Sequence, residues 1–215
     1  MRANALAGVY AITDPNLHQD EAAFLAACEA AMKGGIRLLQ YRHKGASYAH
    51  KRHLALALQQ LSQTYQVPLI INDDMQLAYE VGAQGVHLGQ GDGDPQQARK
   101  LLGPDAIIGV TCHHDLSLAD KAIQQTASYV AFGRFFASST KPQAPAAPLA
   151  ILSQARQRFP HTTLVAIGGI TTENATQVLD AGAHTLAVAH GLFSAHDIEQ
   201  QAQAFVALTQ TTKRT

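Results

Sequence analysis

The chain alternates eight short apolar runs with eight segments of helical composition over 215 residues. Such an alternation predicts βα units with parallel strands, which need a crossover helix between them. Continuous apolar runs at 129–132 and 164–167 are typical of strands buried on both faces. The predicted strands are 9–13, 36–40, 68–72, 85–89, 106–111, 129–136, 163–168 and 184–190, and the predicted helices are 20–32, 48–65, 75–81, 95–102, 116–125, 149–158, 172–181 and 197–208.

Eight consecutive βα units predict an α/β protein with the (β/α)8 TIM-barrel fold, and we expect residues 1–215 to form a single domain. The alternative is an open, doubly wound sheet. That fold would need a glycine-rich phosphate loop after the first strand, whereas the sequence there is Thr13-Asp14-Pro15-Asn16. The barrel is therefore the favoured architecture.

The composition argues against several classes of partner. Lys plus Arg equals Asp plus Glu at 16 each, so no net field attracts nucleic acid or an anionic membrane. We find no apolar stretch of about 20 residues and expect no signal peptide. Cys28 and Cys112 are too few for a disulfide framework. We expect a cytoplasmic protein that acts on small molecules, without nucleic-acid or membrane partners; homo-oligomer formation is left open.

Six of the predicted strands end in small polar or glycine clusters. Parallel strands of a barrel share one C-terminal rim, and barrel enzymes place their catalytic residues there. The sequence therefore predicts an active site assembled from six separate strand ends. The clusters are 40–44, 72–74, 87–92, 111–114, 138–141 and 168–169.

Two carboxylates follow neighbouring strands, the third and the fourth. Asp73 and Asp92 would converge at the rim, and Mg²⁺ commonly takes one or two protein carboxylates together with water and ligand phosphate. The alternative is structural: Asp73 or Asp74 caps the next helix, and Asp92 lies in a glycine-rich turn. Asp94, directly before a proline, is predicted to be a helix cap.

Three cations also follow strand ends without an acidic neighbour in the sequence: Arg42, Lys44 and Lys141. Arginine offers a planar fork of donors to phosphate oxygens, and lysine offers a point charge. Three such groups beside Mg²⁺ would suit a pyrophosphate. The alternative for each one alone is a solvated surface side chain.

Small residues at the last rim positions predict a phosphate site. Ser138 and Thr140 supply hydroxyls, and Gly168-Gly169 allows close approach of backbone N–H groups after the seventh strand. A tight turn into a helix is the alternative for the glycines. His87 alternates with apolar neighbours and is predicted to point into the barrel, more as a core residue than a catalytic one.

Taken in order, the clusters resemble the thiamine-phosphate synthase family over essentially the whole chain. Each piece alone is weak, but six in the correct order and spacing are specific. The matching stretches are Tyr10-Ala11-Ile12-Thr13-Asp14, Gln40-x-Arg42-x-Lys44, Leu69-Ile70-Ile71-Asn72-Asp73, Gly85 to Gln90 with Asp92, Ile108-Gly109-Val110-Thr111, Ser138-x-Thr140-Lys141 and Val165 to Ile170.

The resemblance implies a transferase that joins hydroxymethylpyrimidine pyrophosphate to a thiazole phosphate and releases pyrophosphate. It implies Mg²⁺ as cofactor and a dissociative reaction through a pyrimidine methylene cation. The resemblance implies that pyrophosphate is bound by Arg42, Lys44, Asn72 and Lys141, of which Arg42, Lys44 and Lys141 are catalytic. It implies that Asp73 and Asp92 bind Mg²⁺ and that Gln40 and Thr111 bind the pyrimidine. The residues implied to bind the thiazole phosphate are Ser138, Thr140, Gly169, His190 and Gly191.

The chain departs from the family pattern at three positions. Ala137 precedes Ser138 where the family usually has proline before threonine, and Arg134 stands where proline is common. His190 replaces an expected serine near the thiazole phosphate. Because backbone N–H groups at this point can still bind phosphate, these differences bear on specificity rather than on activity.

Two other functions compete with the synthase. A thiazole tautomerase resembles the synthase but lacks much of its pyrophosphate and metal set, which this chain retains. A non-catalytic barrel that binds phosphate ligands for regulation would bind without forming product. The loop 142–148, which follows Lys141, is a candidate lid.

Overall fold

The structure, a computed structural model, describes residues 6–137 and 145–211. Eight parallel strands close into a barrel in sequence order, and β1 pairs with β8 to complete it. The single-domain TIM barrel predicted from the alternation is confirmed. The strands are β1 (Gly8–Ile12), β2 (Leu38–Tyr41), β3 (Leu69–Asn72), β4 (Gly85–Leu88), β5 (Ile107–His113), β6 (Tyr129–Phe132), β7 (Thr163–Ile167) and β8 (Thr185–Val188).

Helices surround the barrel, and a single turn of 3₁₀ helix, Pro15–Leu17, follows β1. Within the described ranges, no helix is both long and apolar enough to cross a membrane. The α-helices are α1 (Glu21–Lys33), α2 (Tyr48–Tyr65), α3 (Met75–Val81), α4 (Pro95–Leu102), α5 (Leu116–Gln124), α6 (Ala150–Arg158), α7 (Ala175–Asp180), α8 (His190–Phe193) and α9 (Ile198–Thr211).

The strands are buried on both faces, which explains their continuous apolar sequences. One face packs against the helices in a large apolar cluster, and the other fills the barrel interior with a smaller cluster that includes Leu38, Ile70 and Ile107. Side chains alternate between the two faces. In β2, for example, Leu39 packs outward while Leu38 and Gln40 lie inside. The smaller apolar cluster supports a polar layer nearer the C-terminal rim.

Side-chain caps fix the start of several helices directly after the rim. The carboxylates of Asp20, Asp74, Asp94 and Asp115 and the hydroxyl of Ser47 each accept a hydrogen bond from a backbone N–H in the first turn. Such caps satisfy donors that the helix itself leaves unpaired. They also fix where the chain turns from strand to helix, and so where the rim residues point.

Several predicted boundaries are wrong by two residues or more; β2 starts at Leu38 rather than 36, and β5 runs to His113 rather than 111. Strand β6 ends at Phe132, not at 136, because the backbone after it leaves the sheet and bonds instead to the end of β7, Phe135 N to Ile167 O at 3.2 Å. Strand β8 ends at Val188, and the four-residue helix α8 follows it. Helix α7 starts three residues late, since residues 171–174 form a turn.

Candidate active site at the C-terminal rim

A cavity of about 480 Å³ opens at the C-terminal rim, and every strand contributes to its lining. That volume lies in the range of small-molecule sites. Ser138, Thr140 and Lys141, together with residues 142–144 of the candidate lid, lie outside the described residues. The predicted site residues that the cavity brings together are Gln40, Arg42, Lys44, Asn72, Asp73, Asp92, Thr111, Gly169, His190 and Gly191.

One sector of the cavity holds two carboxyls and a lysine in contact. The Lys44 ammonium donates to Asp73 Oδ2, so Lys44 has an acidic partner that its sequence neighbours do not reveal. The Asp73 and Asp92 carboxyls lie close enough to share a hydrogen bond when one of them is protonated. Burial disfavours ionisation of both carboxyls, but bonds from Lys44 and Asp92 hold the pKa of Asp73 below its usual value. Burial and the charge of Asp73 raise the pKa of Asp92.

Backbone hydrogen bonds fix the positions of both Asp73 and Asp92. Asp73 adopts a left-handed conformation, with φ of 65°, and its N–H donates to the His87 carbonyl at 2.8 Å. Asp92 Oδ2 accepts from Gly89 N at 2.9 Å within the turn after β4. The predicted caps are confirmed for Asp74 and Asp94, which bond to helix N–H groups. Asp73 is therefore freed from capping and faces the cavity.

This donor set fits Mg²⁺ of the kind that a phosphate ligand completes. Asp73 and Asp92 supply hard carboxylate oxygens, and the Asn72 amide bonds to Asp73. Among the residues described, no group of three or more His, Cys, Asp or Glu side chains could enclose a metal ion. The set thus offers two carboxylates rather than a full protein cage, and water and phosphate oxygens would supply the other ligands.

Arg42 is fixed through its backbone by a buried threonine. Thr13 Oγ1 accepts from Arg42 N at 2.9 Å and donates to Arg42 O at 3.3 Å, and Thr13 N donates to Gln40 O at 2.9 Å. Thr13 is 1% exposed. The residue after β1 thereby fixes the end of β2 and the residue that follows it, which carry two predicted substrate contacts.

The floor of the cavity is polar and fully hydrogen-bonded along one path. Gln40 Nε2 donates to the Tyr10 hydroxyl at 2.6 Å, and the Tyr10 and Tyr129 hydroxyls lie 2.7 Å apart. His87 Nδ1 lies 2.9 Å from the Tyr129 hydroxyl, and His87 Nε2 lies 2.8 Å from Thr111 Oγ1. His87 does point into the barrel, as predicted, and it connects the floor rather than standing alone.

The glycine pair after β7 allows a close backbone approach. A Cβ on Gly168 would lie 2.2 Å from Arg134 Cβ, and one on Gly169 would lie 2.1 Å from the Ala137 carbonyl oxygen. Both glycines have positive φ. The loop after β6, which leads to Ser138, therefore packs directly on them. The turn predicted as the alternative is also present, because Asn174 Nδ2 donates to Gly169 O at 2.9 Å.

The end of β8 places the departure from the family pattern inside the cavity. His190 is exposed, begins α8 and lines the cavity with Gly191 and Ser194. The described part of the candidate lid, by contrast, is tied down, since Ala147 N donates to Arg134 O at 2.8 Å. The lid hypothesis itself concerns residues beyond the described ones and stays a prediction.

Three participants in the site were not predicted as such. In the sequence, Thr13 and Tyr10 stand out only as parts of a strand motif, and Tyr129 only as a residue of an apolar strand. Their hydroxyls act through partners 29 to 119 positions away, which no local pattern reveals. The one available signal was a tyrosine or threonine at an inward-facing strand position, where a hydroxyl must find a partner.

Fold and site together define a class: a TIM-barrel enzyme with its polar cavity at the C-terminal rim. A sequence model of the family described as thiamine monophosphate synthase matches residues 9–192. The chain therefore belongs to the thiamine monophosphate synthase family, and it is a transferase by that membership.

Known proteins are similar to this chain in sequence and in structure over nearly its full length. The thiamine-phosphate synthase of Saccharophagus degradans is 52% identical over 201 residues, which cover 94% of this chain and 92% of that protein. The thiamine-phosphate synthase of Alcanivorax borkumensis is 50% identical and covers 99% of both. A solved structure, thiamine phosphate pyrophosphorylase from Pyrococcus furiosus, superposes with a TM-score of 0.86 at 28% identity and covers 98% of both chains.

Proposed function

We propose that the protein is a Mg²⁺-dependent thiamine-phosphate synthase that joins hydroxymethylpyrimidine pyrophosphate to thiazole phosphate. The observation that carries the proposal is the single cavity in which Arg42, Lys44, Asp73 and Asp92 adjoin a polar floor ending in Gln40 and Thr111. A charged sector beside a polar floor matches a substrate with a charged pyrophosphate and a neutral heteroaromatic ring. Two similar proteins named above, the synthases of Saccharophagus degradans and Alcanivorax borkumensis, carry this activity in their names.

The reaction breaks the bond between the pyrimidine methylene carbon and a pyrophosphate oxygen, and it forms a bond from that carbon to the thiazole nitrogen. Arg42 and Lys44 neutralise charge on the departing pyrophosphate, a role we extend to Lys141, and Asn72 binds beside them. Asp73 and Asp92 would hold Mg²⁺, which when bound neutralises further phosphate charge. We propose a dissociative course, in which departure precedes attack.

A dissociative course asks the protein for positioning and charge stabilisation, and it needs no side-chain nucleophile. The chemistry of the cysteines is consistent with this. Cys28 and Cys112 are buried, and burial raises the pKa of Cys112 to about 12. Gln40 and Thr111 orient the pyrimidine, and Gly169, His190 and Gly191 border the space for the thiazole phosphate, with Ser138 and Thr140 proposed from the sequence.

The retained charged set favours the synthase over its two competitors. A thiazole tautomerase would not need Arg42, Lys44, Asp73 and Asp92 together in contact with one cavity. A regulatory barrel would bind the precursors and form no product. Cytoplasmic localisation stays a prediction from the sequence, and homo-oligomer formation stays open.

The decisive assay mixes purified protein, Mg²⁺ and both phosphorylated precursors, and it measures thiamine phosphate and pyrophosphate. We expect equal amounts of both products, and tight binding without product would favour the regulatory barrel. Chelation of the metal, or Asp92→Ala, should abolish turnover. Asp94→Ala is the matched control, because Asp94 caps α4 two positions away. Full activity in the presence of chelator would contradict the metal site.

His190→Ser tests the departure at the end of β8. If the imidazole contacts the second substrate, the KM for thiazole phosphate should change while the KM for the pyrimidine substrate stays constant. An unchanged KM for both would show that backbone groups alone bind the phosphate at this point.

A further inference from the structure

Five polar side chains, all buried except the partly exposed Thr111, form one continuous hydrogen-bonded path across the barrel interior, which we call the floor relay: Gln40, Tyr10, Tyr129, His87 and Thr111. The members come from β2, β1, β6, β4 and β5 respectively. All four links are 2.6 to 2.9 Å long. Four members line the cavity, and Tyr129 lies beneath them with no exposed surface.

The surrounding residues hold the relay rigid. The Tyr10 and Tyr129 rings meet edge to face at 5.7 Å, and the His87 ring stacks on Tyr129 at an interplanar angle of 16°. Gly109 makes the space for this arrangement, because a Cβ there would lie 1.9 Å from the Tyr129 ring. The phenol therefore has a single position, between Tyr10 and His87.

Each phenol contributes exactly one proton to the path. Burial raises the pKa of Tyr10 and that of Tyr129 well above the usual value, so both hydroxyls are protonated at neutral pH. A hydroxyl that accepted both links of the path would leave its own proton buried and unpaired, so each phenol accepts one link and donates the next. The direction of the first link therefore determines the direction of all the others.

The first link runs outward from Gln40, whose Nε2 donates to Tyr10. Tyr10 then donates to Tyr129, and Tyr129 donates to His87 Nδ1. A histidine that accepts at Nδ1 carries its proton on Nε2, so His87 donates to Thr111 Oγ1. The path leaves the Gln40 carbonyl oxygen as an acceptor and the Thr111 hydroxyl proton as a donor for a ligand, beside the second N–H of the Gln40 amide.

We propose that Tyr10, Tyr129 and His87 are positioning residues that set the polarity of Gln40 and Thr111, and so select a ring bearing an exocyclic amine beside an unprotonated ring nitrogen. Such a ring donates to Gln40 and accepts from Thr111. This inference rests on the proposed function and goes further, because it assigns the discrimination between an aminopyrimidine and its deaminated hydroxypyrimidine analogue to residues beneath the cavity. A hydroxypyrimidine in its oxo form presents the opposite pattern, so its binding either leaves the Gln40 oxygen and the Thr111 proton unpaired or requires the links to reverse.

The first test needs no activity. Nitrogen NMR of the full chain with labelled histidine should show His87 as the neutral Nε2–H tautomer. The Nδ1–H tautomer would mean that the path runs in the opposite direction, and it would overturn the proposal.

The second test breaks the path in its centre. Tyr129→Phe keeps the ring that Gly109 accommodates and removes the hydroxyl between Tyr10 and His87. The affinity ratio between the pyrophosphate esters of the aminopyrimidine and the hydroxypyrimidine should fall about tenfold, as expected when a buried hydrogen-bonded link is lost. His87 should become a mixture of tautomers, and affinity for inorganic pyrophosphate should stay the same.

The matched control is Tyr41→Phe, which also removes a tyrosine hydroxyl beside a histidine Nδ1, that of His43 at 3.3 Å, but on the outer face of β2. It should leave the affinity ratio unchanged. Tyr10→Phe breaks the path at a second point and should lower the ratio as Tyr129→Phe does, so one unstable variant does not decide the test.

The outcomes separate this proposal from the function on which it rests. If the protein binds neither pyrimidine ester, the proposed function fails, and the His87 tautomer still reports the direction of the relay. If it binds the aminopyrimidine ester and both tyrosine variants keep the wild-type ratio, the synthase assignment stands and the positioning role is wrong.

Discussion

The Lys44 ammonium donates a hydrogen bond to the Asp73 carboxylate across 29 positions of sequence. The cation assigned to pyrophosphate and the carboxylate assigned to Mg²⁺ therefore neutralise each other. Under the proposed function, Mg²⁺ and Lys44 would compete for one carboxylate, and a bound pyrophosphate would offer the lysine an alternative partner. This relationship predicts that metal and substrate assist each other in binding.

We expect Lys44→Met to bind Mg²⁺ in the absence of substrate about two- to fivefold more tightly than the wild type, the range of a partly exposed ion pair. Turnover should fall at the same time, because the pyrophosphate loses a cation. Titration calorimetry with Mg²⁺ alone measures the first effect. Lys33→Met, which removes a lysine paired with Glu29 on α1, is the control and should change neither quantity. Unchanged Mg²⁺ affinity in Lys44→Met would contradict the competition.

Thr13→Val should lower kcat/KM about tenfold, because it removes two hydrogen bonds of about 1 kcal/mol each that fix the Arg42 backbone. Steady-state kinetics measure the effect. Thr13→Ser keeps the hydroxyl and should retain most of the activity. Wild-type kinetics in the valine variant would mean that the strand itself suffices to position Arg42.

Gly89→Ala should raise the Mg²⁺ concentration for half-maximal activity by about tenfold, equivalent to about 1.4 kcal/mol. The reason is steric, since a Cβ on Gly89 would lie 2.5 Å from Asp92 Oδ2 and displace that carboxylate. Gly91→Ala in the same turn is the matched control, because a Cβ there meets nothing within 4 Å. Equal metal requirements for the two variants would exclude Asp92 as a ligand.

His18 should make the fold less stable in mild acid. Its ring packs between Phe24 and Phe193, and burial lowers its pKa below the ordinary 6.5 despite the opposing charge of Asp14. Because the unfolded chain binds a proton more readily than the folded chain, the free energy of unfolding falls as the pH drops through about 6.5.

Urea unfolding at about pH 8 and about pH 5 measures this difference. The stability of His18→Leu should depend less on pH than that of the wild type. His161→Leu, at an exposed position, should keep the wild-type dependence. An identical pH dependence in wild type and His18→Leu would show that His18 does not contribute.

The fold was predictable because each βα unit has signals in its own local sequence. Apolar runs such as 129–132 and helix caps such as Asp94 and Asp74 lie within a few residues of what they determine. The boundaries that failed, at the ends of β6 and β8, depend on contacts with another strand or on a short extra helix. Neither the contact with another strand nor the short extra helix changes the local pattern of apolar residues.

The rim residues were predictable as a set because parallel strands bring their ends together. Their pairing was not. Lys44 and Asp73 are separated by a whole βα unit, and Tyr10 and Tyr129 by most of the barrel. Tyrosine is also common in apolar strands, so the sequence does not distinguish a packed ring from a hydroxyl in a buried path. Only closure of the barrel brings these groups together.

The floor relay constrains how this barrel can evolve. Loss of one member would leave its neighbours with buried, unpaired polar atoms at a cost of about 1–3 kcal/mol each, whereas replacing all five by apolar groups of similar shape can be nearly neutral. Gly109 adds a sixth position, since only a residue without a side chain leaves room for Tyr129. Drift at these positions should be concerted: descendants of this chain keep the whole layer, or exchange it in a few coupled steps together with the ring that they accept.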